Sequence, residues 1–257
     1  MINPKVKLTF LGSGSAFTVG DNNYQSNLLL EDLTTKKKLL IDCGTDIRWS
    51  LYANGYTFRD IDAVFISHIH ADHTGGLEFL ALSRFFNGCV NLDLYLAQSI
   101  KDPLWTTLQA GLSTMDSSPT ALSTYFNIKE IDKTQIFQWQ NHIFELEPTI
   151  HVVDNGTNLP CYGLKFKINN NQIYFTADSR FLYKSKRSIY ENSTVIFHDC
   201  ETSQQHSGVH SHYVDLLSLP EHIRKKTWLY HYNPGSKQQP QQDKFKGFVG
   251  MGQSFLF

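Results

Sequence analysis

The run His68-Ile69-His70-Ala71-Asp72-His73 constrains this chain more than any other segment. It follows Ile61 to Ser67, an apolar stretch rich in β-branched and aromatic residues that reads as a buried strand. It precedes Thr74 to Phe86, which reads as a helix stopped by Asn87-Gly88. The run is therefore a loop at the end of a strand. Alternation in extended backbone points His68 and His70 the same way. Asp72 and His73 turn into the helix start and can face a second ion. Imidazole together with carboxylate suits zinc, manganese or iron rather than calcium. Gly75-Gly76 lets the backbone pass close to a crowded site. The plain alternative is surface histidines before a helix, with Asp72 as its N-cap. Three histidines and an aspartate within six residues argue against it.

The rest of the chain reads as strands and helices arranged twice over. Val6 to Leu11 is a strand ending in the tight turn Gly12-Ser13-Gly14-Ser15, and Asn27 to Glu31 with Lys38 to Asp42 bracket a hairpin turn. Thr45 to Ala53 is a helix closed by Asn54-Gly55, and Leu92 to Leu96 returns as a strand. In the second half, Phe126 to Ile131, His142 to Glu147, Tyr162 to Ile168, Ile173 to Thr176, Thr194 to Phe197 and Thr227 to Tyr230 read as strands. Ser211 to Leu219 reads as a helix stopped by Pro220. This pattern is α/β: two β-sheets packed together with helices outside. No linker tract or repeat divides the 257 residues, which are 41% hydrophobic, so residues 1–257 are expected to form one domain. Ser99 to Thr124 holds Pro103 and Pro119 and stays open between an insertion and a lid. The apolar end, Gly247 to Phe257, is expected to dock.

Composition narrows the partners. The net charge is −1 and the pI about 6.8. A protein that grips an extended polyanion carries a basic surplus, which is missing here. A small anionic substrate fits, because bound cations can supply the positive charge. Cys43, Cys89, Cys161 and Cys200 form no C-x-x-C pair. The start MINPKVKLTF has no long apolar region of the signal-peptide kind, and no stretch is long and apolar enough to span a bilayer. A reducing cytoplasm with free thiols is the expectation.

The run at 68–73 resembles the H-x-H-x-D-H signature of the metallo-β-lactamase superfamily. Leu11-Gly12-Ser13-Gly14-Ser15-Ala16 and Leu40-Ile41-Asp42-Cys43-Gly44 resemble its two early motifs. The resemblance implies an αββα sandwich of two mixed β-sheets with metals at one edge. It implies that Asp42 supports a ligand histidine, which fixes a tautomer. It also places the remaining ligands: His151 after a strand, Asp178 in Phe175-Thr176-Ala177-Asp178-Ser179, and His231 in Leu229-Tyr230-His231-Tyr232. Taken alone, these read as a strand-end histidine, a turn former and a core residue. Together they complete two shells, His68, His70 and His151 for one ion and Asp72, His73 and His231 for the other, with Asp178 bridging. Two cations sharing a water lower its pKa and offset charge on attacked and leaving oxygens. Zinc is expected from the ligand types, with manganese also compatible.

The runs His198-Asp199-Cys200-Glu201-Thr202 and Gly208-Val209-His210-Ser211-His212 resemble paired motifs of the superfamily's tRNase Z-like phosphodiesterase branch. There an acidic residue orients a histidine that protonates the leaving oxygen. The matching pair here is Asp199 and His210; with Asp72 they are the expected catalytic residues. An alkoxide leaves poorly without a general acid, so the pair fits phosphodiester cleavage. The tRNA-processing members carry a long arm before the bridging aspartate. Only 26 residues separate His151 from Asp178 here, and they read as a hairpin. The text from His198 to Asn233 is similar to anti-Pycsar phosphodiesterases of phages and bacteria. That implies hydrolysis of 3′,5′-cyclic mononucleotides to nucleoside monophosphates, countering a cyclic-nucleotide antiphage signal. It also implies a homodimer whose partner completes the pocket, with no stable nucleic-acid complex. The alternatives are an armless tRNase Z-type nuclease, another hydrolase such as a lactonase, and a nucleotide-sequestering binding protein. Phe17, Tyr24, Tyr183, Tyr213 and Tyr232 are candidates for stacking on a base. Arg180 is a candidate for a phosphate or interface contact, and His206 and His212 for lining the pocket.

Overall fold

Two seven-stranded mixed sheets lie face to face in a computed structural model that describes residues 5–20, 23–115 and 118–257. The first sheet holds β1 (Val6–Gly12), β2 (Asn27–Asp32), β3 (Lys38–Ile41), β4 (Ala63–Ile66), β5 (Leu92–Ala97) and β6 (Phe126–Ile131). The second holds β7 (Ile136–Trp139), β8 (His142–Pro148), β9 (Tyr162–Ile168), β10 (Asn171–Phe175), β11 (Val195–Asp199), β12 (Thr227–Tyr230) and β13 (Gly247–Phe248). The last strand, β14 (Ser254–Leu256), returns to the outer edge of β1. The apolar C-terminus thus extends both sheets, which is why it docks.

Phe10 packs on Phe197 at 5.2 Å and on Tyr230 at 5.7 Å between ring centroids, so the first sheet's face meets the second's. Phe65 stacks on Phe137 at 5.5 Å, and Phe137 on Phe144 at 4.9 Å. Helices, beginning with α1 (Ile47–Ala53), cover the outer faces and complete the αββα sandwich. In α3 (Leu77–Phe86), Leu77, Leu80 and Ala81 are buried. In α4 (Gln98–Leu112), Ile100, Leu104, Leu108 and Leu112 form a buried stripe at i, i+4 spacing. Over the second sheet, Tyr190, Leu216 and Ile223 bury against Tyr174, Ile196 and Leu229.

The structure settles the open segment. Residues 98–112 form a helix of the outer layer that buries Ile100, Leu104, Leu108 and Leu112; Asp116 and Ser117 lie outside the described residues, as do residues 1–4 of the N-terminus. The helix expected from Thr74 begins earlier and breaks: α2 (Ala71–Thr74) precedes α3, with Gly75 and Gly76 between. The helix expected over Ser211 to Leu219 shrinks to Tyr213–Leu216, because His212 in extended backbone caps its start. Ile136–Trp139 is a strand that sequence reading did not mark. Among the described residues, no helix is long and apolar enough to cross a membrane.

Strands β3 to β6 run parallel, as do β10 to β13. Their carboxyl ends therefore open on one edge of the sandwich, the usual place for ligand sites in α/β sheets.

Candidate metal centre

Successive strand ends deliver the site. Asp42 follows β3, His68 follows β4, Asp178 follows β10, Asp199 ends β11 and His231 follows β12. His151 comes three residues after β8. Asp42, Ala177 and His231 have φ values of 63°, 51° and 62°, in the left-handed region that side chains rarely adopt. Each lies where the chain leaves a strand and turns a side chain into the site, or precedes the residue that does. Strain of this kind persists where the surroundings over-determine it.

All seven residues expected as ligands converge. His68 Nε2 and His151 Nε2 each lie 3.1 Å from His70 Nδ1. Beside them, His73 Nε2 lies 3.2 Å from both Asp72 Oδ2 and Asp178 Oδ2, and His231 Nε2 lies 3.3 and 3.4 Å from the same two oxygens. Asp178 Oδ2 is also 3.8 Å from His68 Nε2 and 3.7 Å from His151 Nε2, so it sits between the two groups. The sets His68, His70, His151 and Asp72, His73, Asp178, His231 each present one ligand atom per residue to a common point.

These donors fit two cations better than they fit one another. Asp178 Oδ1 and His73 Nε2 are buried without a hydrogen-bond partner, although His73 Nε2 is close to two carboxylate oxygens. Buried polar atoms are rarely left so. Among the described residues, Asp72 and Asp178 pair only with histidines, never with Lys or Arg. Buried carboxylates require a compensating positive charge. Burial, with the His73 charge second, holds His68 well below the usual imidazole range, and burial also lowers His70 and His151. That direction favours the neutral ring that metal ligation requires. Burial opposes the charges on Asp72 and Asp178. Neighbouring histidines outweigh it and hold both carboxyls below the usual range. Burial likewise opposes a charge on His73, but Asp72, Asp178 and Asp42 push it well above the usual value.

A second layer of contacts orients these rings. Asp42 Oδ2 accepts from His73 Nδ1 at 2.8 Å, and the carboxylate also accepts from Ser67 N and Ser67 Oγ, both at 2.8 Å. This is the support the resemblance implied for Asp42. The loop reaches His73 because two glycines let backbones touch. A Cβ on Gly44 would stand 2.3 Å from the Asp72 carbonyl oxygen, and one on Gly76 would stand 2.3 Å from the Gly44 carbonyl oxygen. Cys43 N can then donate to His73 O at 2.7 Å, and Gly76 N to Cys43 O at 2.9 Å. His151 donates from Nδ1 to Val209 O at 2.8 Å, and Arg180 Nε donates to His151 O at 3.0 Å. Arg180 thus braces a ligand candidate's backbone.

Asp199 and His210 meet as expected. His210 Nδ1 donates to Asp199 Oδ2 at 2.9 Å, and Ser179 N donates to the same oxygen at 2.9 Å. The His210 ring lies 4.7 Å from both the His151 and His231 rings. Burial works against its charge, but the Asp199 carboxylate wins and His210 is pushed up to about 9. A cavity of about 480 Å³ opens above these groups, walled by His70, Asp72, His151, Asp178, His210 and Phe17, among others. Among the described residues that line it, none is Lys or Arg. Of the five aromatic candidates only Phe17 borders this cavity, and it is 82% exposed. Tyr213 donates to Asp243 and Tyr232 to Val249 O, while Tyr183 packs on Tyr190, so these three serve packing. His206 stacks on His212, and His212 caps a helix, so both belong to the loop's own structure. Sequence reading gave no role to Val209, Ser67 or Glu201. A carbonyl such as Val209 O has no side-chain signature. Glu201 did stand in a quoted motif, two residues after Asp199.

Comparisons with known proteins identify the family and the fold. The family described as "Anti-Pycsar protein Apyc1" matches residues 6–255. A Paenibacillus harenae protein of that description is 38% identical over 231 residues, covering 88% of this chain and 89% of its own. The crystal structure of the metallo-β-lactamase fold protein YhfI from Bacillus subtilis superposes with a TM-score of 0.75 at 20% identity, covering 99% of this chain and 100% of that one. A diphosphatase from the PhnP family gives 0.74 at 19% identity, covering 98% and 97%. At such identities the likeness concerns the fold.

Proposed function

The chain belongs to the anti-Pycsar Apyc1 family, and we propose that it is a metal-dependent phosphodiesterase that opens 3′,5′-cyclic mononucleotides and so counters cyclic-nucleotide antiphage signalling. One observation carries the substrate class. His210, held by the Asp199 carboxylate at 2.9 Å, stands over the ligand cluster in a cavity that no lysine or arginine lines among the described residues. Such a pocket supplies one mobile proton and no extra positive charge. It suits a single phosphodiester with a poor leaving group. It suits neither a diphosphate nor a long polyanion, which rely on many basic contacts. The cavity volume lies within the roughly 300–1,000 Å³ typical of small-molecule sites.

The residues that hold the two cations in this reading are His68, His70 and His151 on one side and Asp72, His73 and His231 on the other, with Asp178 between. Divalent ions there, zinc by ligand type with manganese also compatible, would lower the pKa of a bound water and offset charge on the phosphoryl oxygens. The chain's own work is positioning and proton transfer. Asp199 holds His210 through Nδ1, which leaves Nε2–H to face the cavity. As the phosphorus–oxygen bond to the ribose breaks, the departing oxygen takes that proton. The product is a nucleoside monophosphate, with water's oxygen on phosphorus. His210 returns to its charged form by regaining a proton from solvent. Phe17 at the rim offers an exposed ring for the base. A second copy of the chain belongs to the same reading. Trp49 and Tyr52 expose large apolar surface that a partner would cover.

Metal-loaded protein incubated with cyclic mononucleotides, a pre-tRNA and a diphosphate-bridged dinucleotide tests the reading. Turnover of the cyclic nucleotides alone is expected. Cleavage of pre-tRNA or the diphosphate in their place defeats it, and binding without turnover reassigns the protein to sequestration. A sedimentation run showing a fully active stable monomer removes the partner-completed pocket.

A further inference from the structure

The segment between Glu201 and His212 carries two functional atoms, the Val209 carbonyl that holds His151 and the His210 ring. Backbone bonds close its base: Glu201 N donates to Ser211 O, and Tyr213 N to Glu201 O, both at 2.9 Å. The Glu201 side chain, in a residue only 7% exposed, turns inward and grips the loop. Its Oε1 accepts from Ser203 Oγ at 2.8 Å and from Ser207 N at 3.2 Å. Its Oε2 accepts from Ser207 N and Ser207 Oγ, both at 3.0 Å. Ser207 Oγ accepts in turn from Val209 N at 3.3 Å. Between them Gly208, at φ +77°, reverses the chain. Both Glu201 oxygens are thus occupied by the loop although the residue borders the cavity. Its part is to hold Ser207.

We propose that Glu201 is a positioning residue for His210: by fixing Ser207 it sets where residues 208–210 turn, and so keeps the His210 ring between Asp199 and the departing oxygen. The proposal rests on the reading of His210 as the general acid. A side chain held through one intermediate residue is only as well placed as that residue, and an acid displaced by about 1 Å forfeits much of its effect.

The test separates proton delivery from general damage. Metal-loaded wild type, Glu201→Gln, Ser207→Ala and His210→Ala are compared on a 3′,5′-cyclic nucleotide and on bis(4-nitrophenyl) phosphate, whose nitrophenolate departs without a proton. Metal content is measured in each. Glu201→Gln is expected to lose on the order of tenfold or more in kcat on the cyclic nucleotide and less than about twofold on the aryl diester, given what general acids contribute. Ser207→Ala is expected to lose in the same selective way, and it carries the test if Glu201→Gln does not fold. Equal losses on both substrates in the Glu201 and Ser207 variants, with His210→Ala still selective, overturn the proposal alone. A non-selective His210→Ala defeats the general-acid reading itself, and this proposal with it.

Discussion

Asp42 and His73 are joined by a 2.8 Å hydrogen bond that ties the end of β3 to the short helix α2 after β4. His73 donates from Nδ1, which turns its Nε2 towards Asp72 and Asp178. Asp42→Ala leaves that N–H and both Ser67 donors without an acceptor. Metal affinity is expected to fall about 10–100-fold, as for other losses behind a ligand histidine. Competition against a fluorescent chelator measures it. Unchanged affinity would show that His73 needs no such partner.

The proposed function gives Asp178 and His210 different parts, one holding the cations and the other delivering a proton. Asp178 Oδ2 lies within 4 Å of His68, His73, His151 and His231, so Asp178→Ala removes the group shared by both clusters. Turnover is expected to vanish and metal content to drop. His210 belongs to neither the His68 set nor the Asp72 set. His210→Ala is expected to retain metal while kcat falls by about 10²–10⁴-fold. Elemental analysis alongside initial rates decides both. A normal rate in His210→Ala removes its role as acid.

The sequence announced some of these parts and concealed others, for physical reasons. The 68–73 run was legible because its side chains sit close in sequence and their alternation follows from extended backbone. The strands were legible because burial leaves apolar, β-branched runs. His151, Asp178 and His231 carry no local signal of their own; only the resemblance placed them, and the fold then brought them together. The helix 98–112 hid behind Pro103, although its Ile100, Leu104, Leu108, Leu112 stripe keeps helical spacing. The break at Gly75-Gly76 hid because both residues stay in right-handed helical backbone while the helix interrupts. Contacts made by backbone, such as Val209 O to His151, cannot be read from side-chain identity.

Phe17 is the one aromatic candidate whose ring borders the cavity, and its exposure leaves a face free. Stacking a base on such a ring contributes about 1–3 kcal/mol. Phe17→Ala is therefore expected to raise KM for cyclic nucleotides about tenfold with kcat little changed, while Phe17→Tyr keeps the wild-type value. Steady-state kinetics over purine and pyrimidine substrates checks this. An unchanged KM in Phe17→Ala leaves the base to other contacts.

Asp32 and His142 form a buried pair that spans the two sheets at the end of β2 farthest from the site. His142 Nε2 lies 3.0 Å from Asp32 Oδ2, and Thr34 N and Thr35 N donate to Oδ1 at 2.8 and 2.7 Å. Burial alone would raise the Asp32 pKa. The Thr35, Thr34 and His142 hydrogen bonds outweigh it, and the carboxyl lies below its ordinary 3.8. A depressed native value means the unfolded chain binds this proton more readily. The carboxylate's contribution is therefore complete above pH 3.8 and is lost as pH falls through the lower native value. Asp32→Asn is expected to lower unfolding free energy near neutral pH by about 1–3 kcal/mol. That deficit should hold steady through mildly acidic solution and shrink only below the ordinary carboxyl value. Urea titrations of both proteins across this range, including metal-free samples to keep the ligand cluster out of the comparison, follow the difference directly. A deficit that widens with acid, or stays constant to the lowest pH at which both fold, contradicts the assignment of Asp32 as a buried charged acceptor joining the sheets.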